Sequence, residues 1–196
     1  LYDINTYSLS RSDNNNFERP FRGENAPVFP HDLPSLRETN GNFSLIKSTP
    51  AGNSFTKDFA KAAILEENLG KGQATDFLAL SFSSTDYVGH QFGPASVEIE
   101  DTYLRLDKDL EDFFTFLDKE IGKDKYTLFL TADHAAVHNP NYLISKKIPA
   151  HYFSSKSFSD YIKNRAESLF KSTEIIENFS NYQIFLNYEK LEELKL

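Results

Sequence analysis

The strongest constraint on the fold is a strand–helix–strand pattern in the middle of the chain. The run "TDFLALSF" is nearly continuously apolar over 76–82, and a short run of that kind suits an interior strand of a parallel sheet. Across 96–121, Ile99, Tyr103, Leu106, Leu110, Phe113, Leu117 and Ile121 recur at steps of four and three, the spacing of one helix face. "KYTLFLT" at 125–131 is a second apolar run of strand length. The pattern predicts strands near 76–83 and 126–132, joined by a helix over 96–121. Such a crossover makes the two strands parallel, with a right-handed connection. The fold class that follows is α/β, a parallel sheet flanked by helices.

The flanking sequence divides the chain further. Residues 1–54 are rich in Asn, Ser and Pro and follow neither a strand nor a helix period; they read as an irregular surface or insert segment that lies against something else. Residues 55–150 form the α/β core, opening with a helix over 55–69 whose apolar positions include Phe55, Phe59 and Ala63 and which Gly70 and Gly72 stop. Beyond Pro149, "SFSDYIKNRAESLFKS" reads as a helix, "NYQIFLN" as a short strand and "YEKLEELKL" as a charged tail, so 151–196 is expected to be a small α+β appendage.

Bulk composition excludes several function classes. A net charge of −8 argues against a nucleic-acid partner. No apolar run approaches the roughly 18–20 residues that cross a bilayer, so no membrane span is expected. Without cysteine there are no disulfides and no thiolate ligands. The chain also lacks methionine and begins at Leu1, which reads as an incomplete translation product.

The chemistry-bearing residues cluster at the two strand ends. In "SFSSTDYVGHQFGP" Asp86 and His90 stand four residues apart behind the first run, and Asp133 and His134 close the second. Ligands of open parallel sheets gather beyond the carboxyl ends of the strands, so the two acid–imidazole pairs are expected to converge. Carboxylate oxygen with imidazole nitrogen suits zinc and similar divalent ions. Adjacent residues of a strand diverge, so Asp133 and His134 reach one ion only where the strand has given way to a loop. Either pair alone has an ordinary reading: an incidental spacing for the first, an N-cap beside a surface imidazole for the second. Their joint position outweighs it. His138 is expected in a supporting place, His31 and His151 in loop contacts. Asp101, Asp107, Asp109 and Asp112 are expected on the polar face of the long helix, with no function.

The segments "TDFLALSFSSTDYVGHQFGP", "EDTYLRLDKDL" and "FLTADH" closely resemble the alkaline phosphatase superfamily, in its type I phosphodiesterase/nucleotide pyrophosphatase branch. "TPAGNSFTKDFAKAAILEENLGKG" and "PVFPHDLP" carry the likeness towards the bacterial alkaline phosphatases with a threonine nucleophile. It covers most of residues 25–150. The resemblance implies an alkaline-phosphatase-like sheet, present in part, and two Zn2+ per complete active site. Asp86 and His90 match two ligands of the first zinc, Asp133 and His134 two of the second. The nucleophilic Thr, the N-terminal Asp and the C-terminal His of the family are unmatched, so the chain is expected to be an inactive fragment with no catalytic nucleophile of its own. Relatives carry Gly after the Asp-His pair, where this chain has Ala135. The implied whole protein is a periplasmic or secreted hydrolase of small phosphate esters. The alternatives are a non-catalytic metal-binding or interaction module, and a sulfatase or phosphomutase relative of the same superfamily.

Overall fold

The computed structural model describes residues 7–196. The chain splits into two compact units, Leu1–Ile148 and Pro149–Leu196.

In the first unit an irregular stretch leads into α1 (Leu33–Leu36) and two 3-10 turns, Glu38–Asn40 and Asn42–Ser48. Then come α2 (Ala51–Glu66), α3 (Ser84–Phe92), α4 (Val97–Leu117) and α5 (Pro140–Ser145). The long helix falls where its periodicity places it. Ser96 caps it, its Oγ accepting from the Ile99 N–H at 3.1 Å, and Glu98 and Glu100 in the first turn suit the positive end of the helix dipole. A π turn, Asp118–Gly122, continues it to Gly122, where φ is +109° and only glycine is at ease.

Two apolar cores hold this unit together. Phe21, Leu36, Leu45, Val88, Phe92 and Ile99 pack α3 and the start of α4 against the preceding turns. Ala60, Ile64, Phe113 and Leu117 join α2 to the end of α4. The buried faces differ from those the periodicity suggested. On α2, Phe55 and Phe59 are exposed, and Gly52, Asn53, Ala60 and Ile64 face inward. On α4, Tyr103 is exposed, and Glu98, Asp101 and Asp109 are buried beside Ile99 and Phe113. Asp101 and Asp109 were expected on a solvated face. They are buried because each has partners: Asp101 takes the Tyr7 hydroxyl at 2.7 Å and the Arg105 Nε at 2.8 Å, and Asp109 takes the Ser54 hydroxyl at 2.7 Å and Lys57 Nζ at 3.0 Å.

The two expected strands are the main correction. Neither 76–83 nor 126–132 forms a strand, and the two do not pair with each other. Phe77 is 90% and Phe129 88% exposed, where interior strands were predicted. A strand is a property of a pair, because its backbone donors and acceptors must be met by a neighbour. Among the described residues neither run has a neighbouring strand. They touch the helical core through Leu80 and Tyr126.

The irregular segment before α1 is tied down by polar contacts. The N–H groups of Ser8, Leu9 and Ser10 all donate to the Glu100 carboxylate, at 3.0, 3.1 and 2.6 Å. The Arg11 N–H donates to the Ala95 carbonyl at 2.8 Å, and the Arg19 N–H to the Gln91 carbonyl at 3.1 Å. A long loop is thereby fastened across the α3–α4 junction.

In the second unit α6 (Ser155–Phe170) packs on an antiparallel hairpin, β1 (Ile176–Ser180) and β2 (Gln183–Leu186), followed by α7 (Tyr188–Leu194). Ser154 and Asn187 cap the two helices. Ala166, Ile175 and Ile176 form its small core, with Leu191 and Leu194 against it.

Candidate metal centre

The Asp86–His90 pair, placed by the sequence behind the first apolar run, stands on α3. A helix forms there because Ser84, Val88 and Phe92 repeat at steps of four and bury one stripe. Asp86 and His90 share the same spacing but start two residues later, about 200° around the axis, so they face away from the core. Gly93, at φ +95°, ends the helix before Pro94. The His90 carbonyl accepts from Arg19 Nη2 at 3.2 Å, which pins the helix end to the loop.

Asp133 and His134 lie in an irregular stretch, as a shared ion requires. The His134 N–H donates to Asp133 Oδ1 at 3.1 Å, and its Nδ1 lies 3.2 Å from the Ala135 carbonyl oxygen. A carbonyl only accepts, so Nδ1 is the donor in that bond, and Nε2 is the nitrogen turned to other partners. This Nε2 faces Asp86 Oδ1 at 3.6 Å and Asp133 Oδ2 at 3.7 Å. His90 Nε2 approaches the same Asp86 Oδ1 from the other side, at 3.3 Å.

All four residues therefore form one chain of donors centred on Asp86. Ring nitrogens this close to carboxylate oxygens are favourable where a proton or a cation lies between them. Donors bonded to zinc at about 2.0–2.1 Å in tetrahedral geometry stand roughly 3.3–3.4 Å apart, close to the separations here. The residues present thus fit zinc in both chemistry and spacing. All four side chains remain open to solvent, from 46% for Asp86 to 90% for Asp133.

His138 lies apart from this chain of donors. Both its ring nitrogens stand 3.4 Å from Arg11 Nη2, and its ring meets the edge of Tyr142 at 5.3 Å. His151 is exposed in the second unit. His31, expected in a loop contact, is buried instead, with Nδ1 2.7 Å from Glu24 and Nε2 3.1 Å from Glu98. Burial pulls its pKa down, but the hydrogen bonds to Glu98 and Glu24 outweigh that and raise it. Sequence reasoning also missed a second acidic group, Asp13, Glu18 and Glu98, each offering an oxygen within 4.8 Å of the others. No spacing signal reveals it, since Glu98 is far along the chain from the Asn-rich stretch that carries the other two.

Residues 5–194 match the model of the type I phosphodiesterase/nucleotide pyrophosphatase family. A protein named calcium-transporting ATPase from Myroides odoratus is 52% identical over 98% of this chain and 35% of its own length. Alkaline phosphatase PhoV of Synechococcus elongatus is 60% identical over 74% of this chain and 26% of its own. Alkaline phosphatase PafA of Elizabethkingia meningoseptica is 40% identical over the whole of this chain. The crystal structure of wild-type PafA superimposes along all of this chain and 37% of that one, with a TM-score of 0.88 at 41% identity. The chain spans about a third of the length of these relatives. The fold is accordingly part of an alkaline-phosphatase-like α/β fold. The chain belongs to the type I phosphodiesterase/nucleotide pyrophosphatase family, within the alkaline phosphatase superfamily.

Proposed function

We propose that the protein containing this chain is a zinc-dependent hydrolase of small phosphate esters acting in the periplasm or outside the cell. In this reading residues 1–196 supply half of a bimetal site, and the nucleophile and remaining ligands come from elsewhere in the protein. The observation that carries the reading is the convergence of His90 and His134 on one oxygen of Asp86. Asp86 and His90 would hold one zinc, Asp133 and His134 the other. When bound, such a pair of ions neutralises the oxygens of a transferring phosphoryl group and lowers the pKa of the attacking group. The chain's own residues bind and orient. The Ala135 carbonyl accepts from His134 Nδ1, and the buried stripe of α3 fixes the spacing of Asp86 to His90. The relatives named alkaline phosphatase support this substrate class, and the name of the ATPase relative also denotes cleavage at phosphorus. Among the described residues no helix is long and apolar enough to cross a membrane.

The test is hydrolysis of an aryl phosphate by the full-length protein, before and after chelation and with zinc restored. Asp86→Ala and Asp133→Ala should each lower activity by about two orders of magnitude or more, and His138→Ala by far less. Residues 1–196 alone should show no turnover. Activity that survives complete removal of zinc, or an Asp86→Ala enzyme as fast as wild type, would overturn the reading. Preference for an aryl sulfate would favour the sulfatase alternative.

A further inference from the structure

Three carboxylates meet where the irregular N-terminal segment crosses the start of α4, well apart in role from the Asp86 centre. Asp13, Glu18 and Glu98 each offer one oxygen within 4.8 Å of the others. Each is also held by a donor on one oxygen only. Asp13 Oδ2 accepts from the Phe29 N–H at 3.0 Å, Glu18 Oε1 from Asn15 Nδ2 at 2.7 Å, and Glu98 Oε1 faces His31 Nε2 at 3.1 Å. The other oxygen of each, Asp13 Oδ1, Glu18 Oε2 and Glu98 Oε2, is buried without a hydrogen-bond partner. The Glu98 side chain is only 5% exposed. Buried polar atoms are almost always satisfied, and an unmet carboxylate oxygen is among the most costly exceptions.

Charge points the same way. With Glu24 on the far side of His31, four carboxylates share this region with the His31 ring and the Arg11 guanidinium, which stacks on Tyr142 at 3.4 Å. Carboxylates thus outnumber their cationic partners here. Glu18 shows what leaving them unmet costs: burial, with Glu98 and Asp13 nearby, pushes its carboxyl up to about 7 despite the Asn15 hydrogen bond.

We propose that Asp13, Glu18 and Glu98 form a structural site for a divalent cation, calcium, that fastens the N-terminal segment to α4. An all-oxygen, three-carboxylate set selects a hard cation, and calcium accepts irregular oxygen geometry where magnesium demands an octahedron and sheds its water reluctantly. The site shares no residue with the Asp86 centre, so its failure and that of the zinc reading are separable.

The experiment uses the full-length protein, stripped with chelator, reloaded with zinc, and dialysed against calcium or magnesium. Metal analysis should find one calcium per chain bound by wild type and by Asp86→Asn, and none at this site in Asp13→Asn or Glu18→Gln. Calcium at about a hundredfold its Kd should raise the Tm of wild type by about 2 °C, with a smaller rise from magnesium and none in the two variants. Should a variant fail to fold, the wild-type titration still decides. A wild-type protein that retains no calcium and shows no calcium-dependent Tm overturns the proposal. So does calcium binding that both variants keep in full.

Discussion

The buried ion pair between α2 and α4 gives the sharpest quantitative expectation. Lys57 Nζ lies 3.0 Å from Asp109 Oδ1 and 2.8 Å from Asp112 Oδ2, and the Lys57 and Asp109 side chains are each only 11% exposed. Burial works against the ammonium, but its hydrogen bonds to Asp112 and Asp109 hold its pKa well above the ordinary lysine value. Replacing Lys57 by Met keeps the aliphatic stem and removes the charge, which leaves Asp109 with the Ser54 hydroxyl at 2.7 Å. Breaking a fully buried pair from one side costs about 3–5 kcal/mol, whereas an exposed pair contributes about 0–1 kcal/mol. The retained Ser54 bond and residual solvent access bring the expected loss to about 2–3 kcal/mol. Lys61→Met is the control, because its partner Asp112 is half exposed and keeps Lys57. Hydrogen exchange of α2 and α4 amides in the full-length protein reads the local opening free energy. Lys57→Met/Asp109→Leu should recover most of the loss, giving a clear coupling energy in the double-mutant cycle. If Lys57→Met costs no more than Lys61→Met, Asp109 is not effectively desolvated and the reasoning fails.

Two further perturbations address how the centre is positioned. A Cβ at Gly52 would collide with Ser84 Oγ and stand 2.9 Å from the Ile46 carbonyl oxygen, so Gly52→Ala should destabilise by about 1–3 kcal/mol and weaken zinc binding by displacing the start of α3; an unchanged zinc affinity and Tm would show that the helices do not meet so closely. Glu100 loses hydration on burial, which raises its pKa, but the N–H groups of Leu9, Ser10 and Ser8 outweigh this and lower it below the ordinary 4.5. Its contribution to stability is therefore complete above that ordinary value and is lost as pH falls through the lower folded value. Glu100→Gln should flatten that part of the acid limb of a Tm–pH profile, and an unaltered acid limb would count against the clamp.

How far the sequence was legible depended on whether the relevant partner was local. The long helix was legible because its signals, a period of apolar residues and the Ser96 cap, lie within it. The side that each helix buries was not, because the partner decides that. Asp109 on α4 offers a charge, and α2 answers with Lys57 and Ser54, which turns Phe55 and Phe59 outward. The same limit hid Glu98 and Asp101, which look like solvated helix acids until His31, Tyr7 and Arg105 are brought to them. Strands at 76–83 and 126–132 were inferred from apolar runs, but a run records only that a segment avoids water. The approach of the four candidate residues to one another was expected from their types and positions, whereas the helix that carries Asp86 and His90 was not.

The two halves of that centre are supported unequally. Asp86 and His90 ride on a helix with Ser84, Val88 and Phe92 buried beneath it, and the Arg19 side chain holds its last turn. Asp133 and His134 stand between the exposed Leu130 and the exposed Val137, and His134 contacts its own neighbours and Asp86. Asp86 is thus the point through which the firmly built half meets the lightly built one. A carboxylate held at that point places a fixed negative charge before either imidazole arrives, and charge attraction alone then draws a cation to the place where His90 and His134 can close on it. Packing sets the positions of Asp86 and His90 on α3, and a bound ion would set that of His134. In a phosphate-ester hydrolase this order would keep the spacing of the two ions under the control of the hydrophobic stripe of α3.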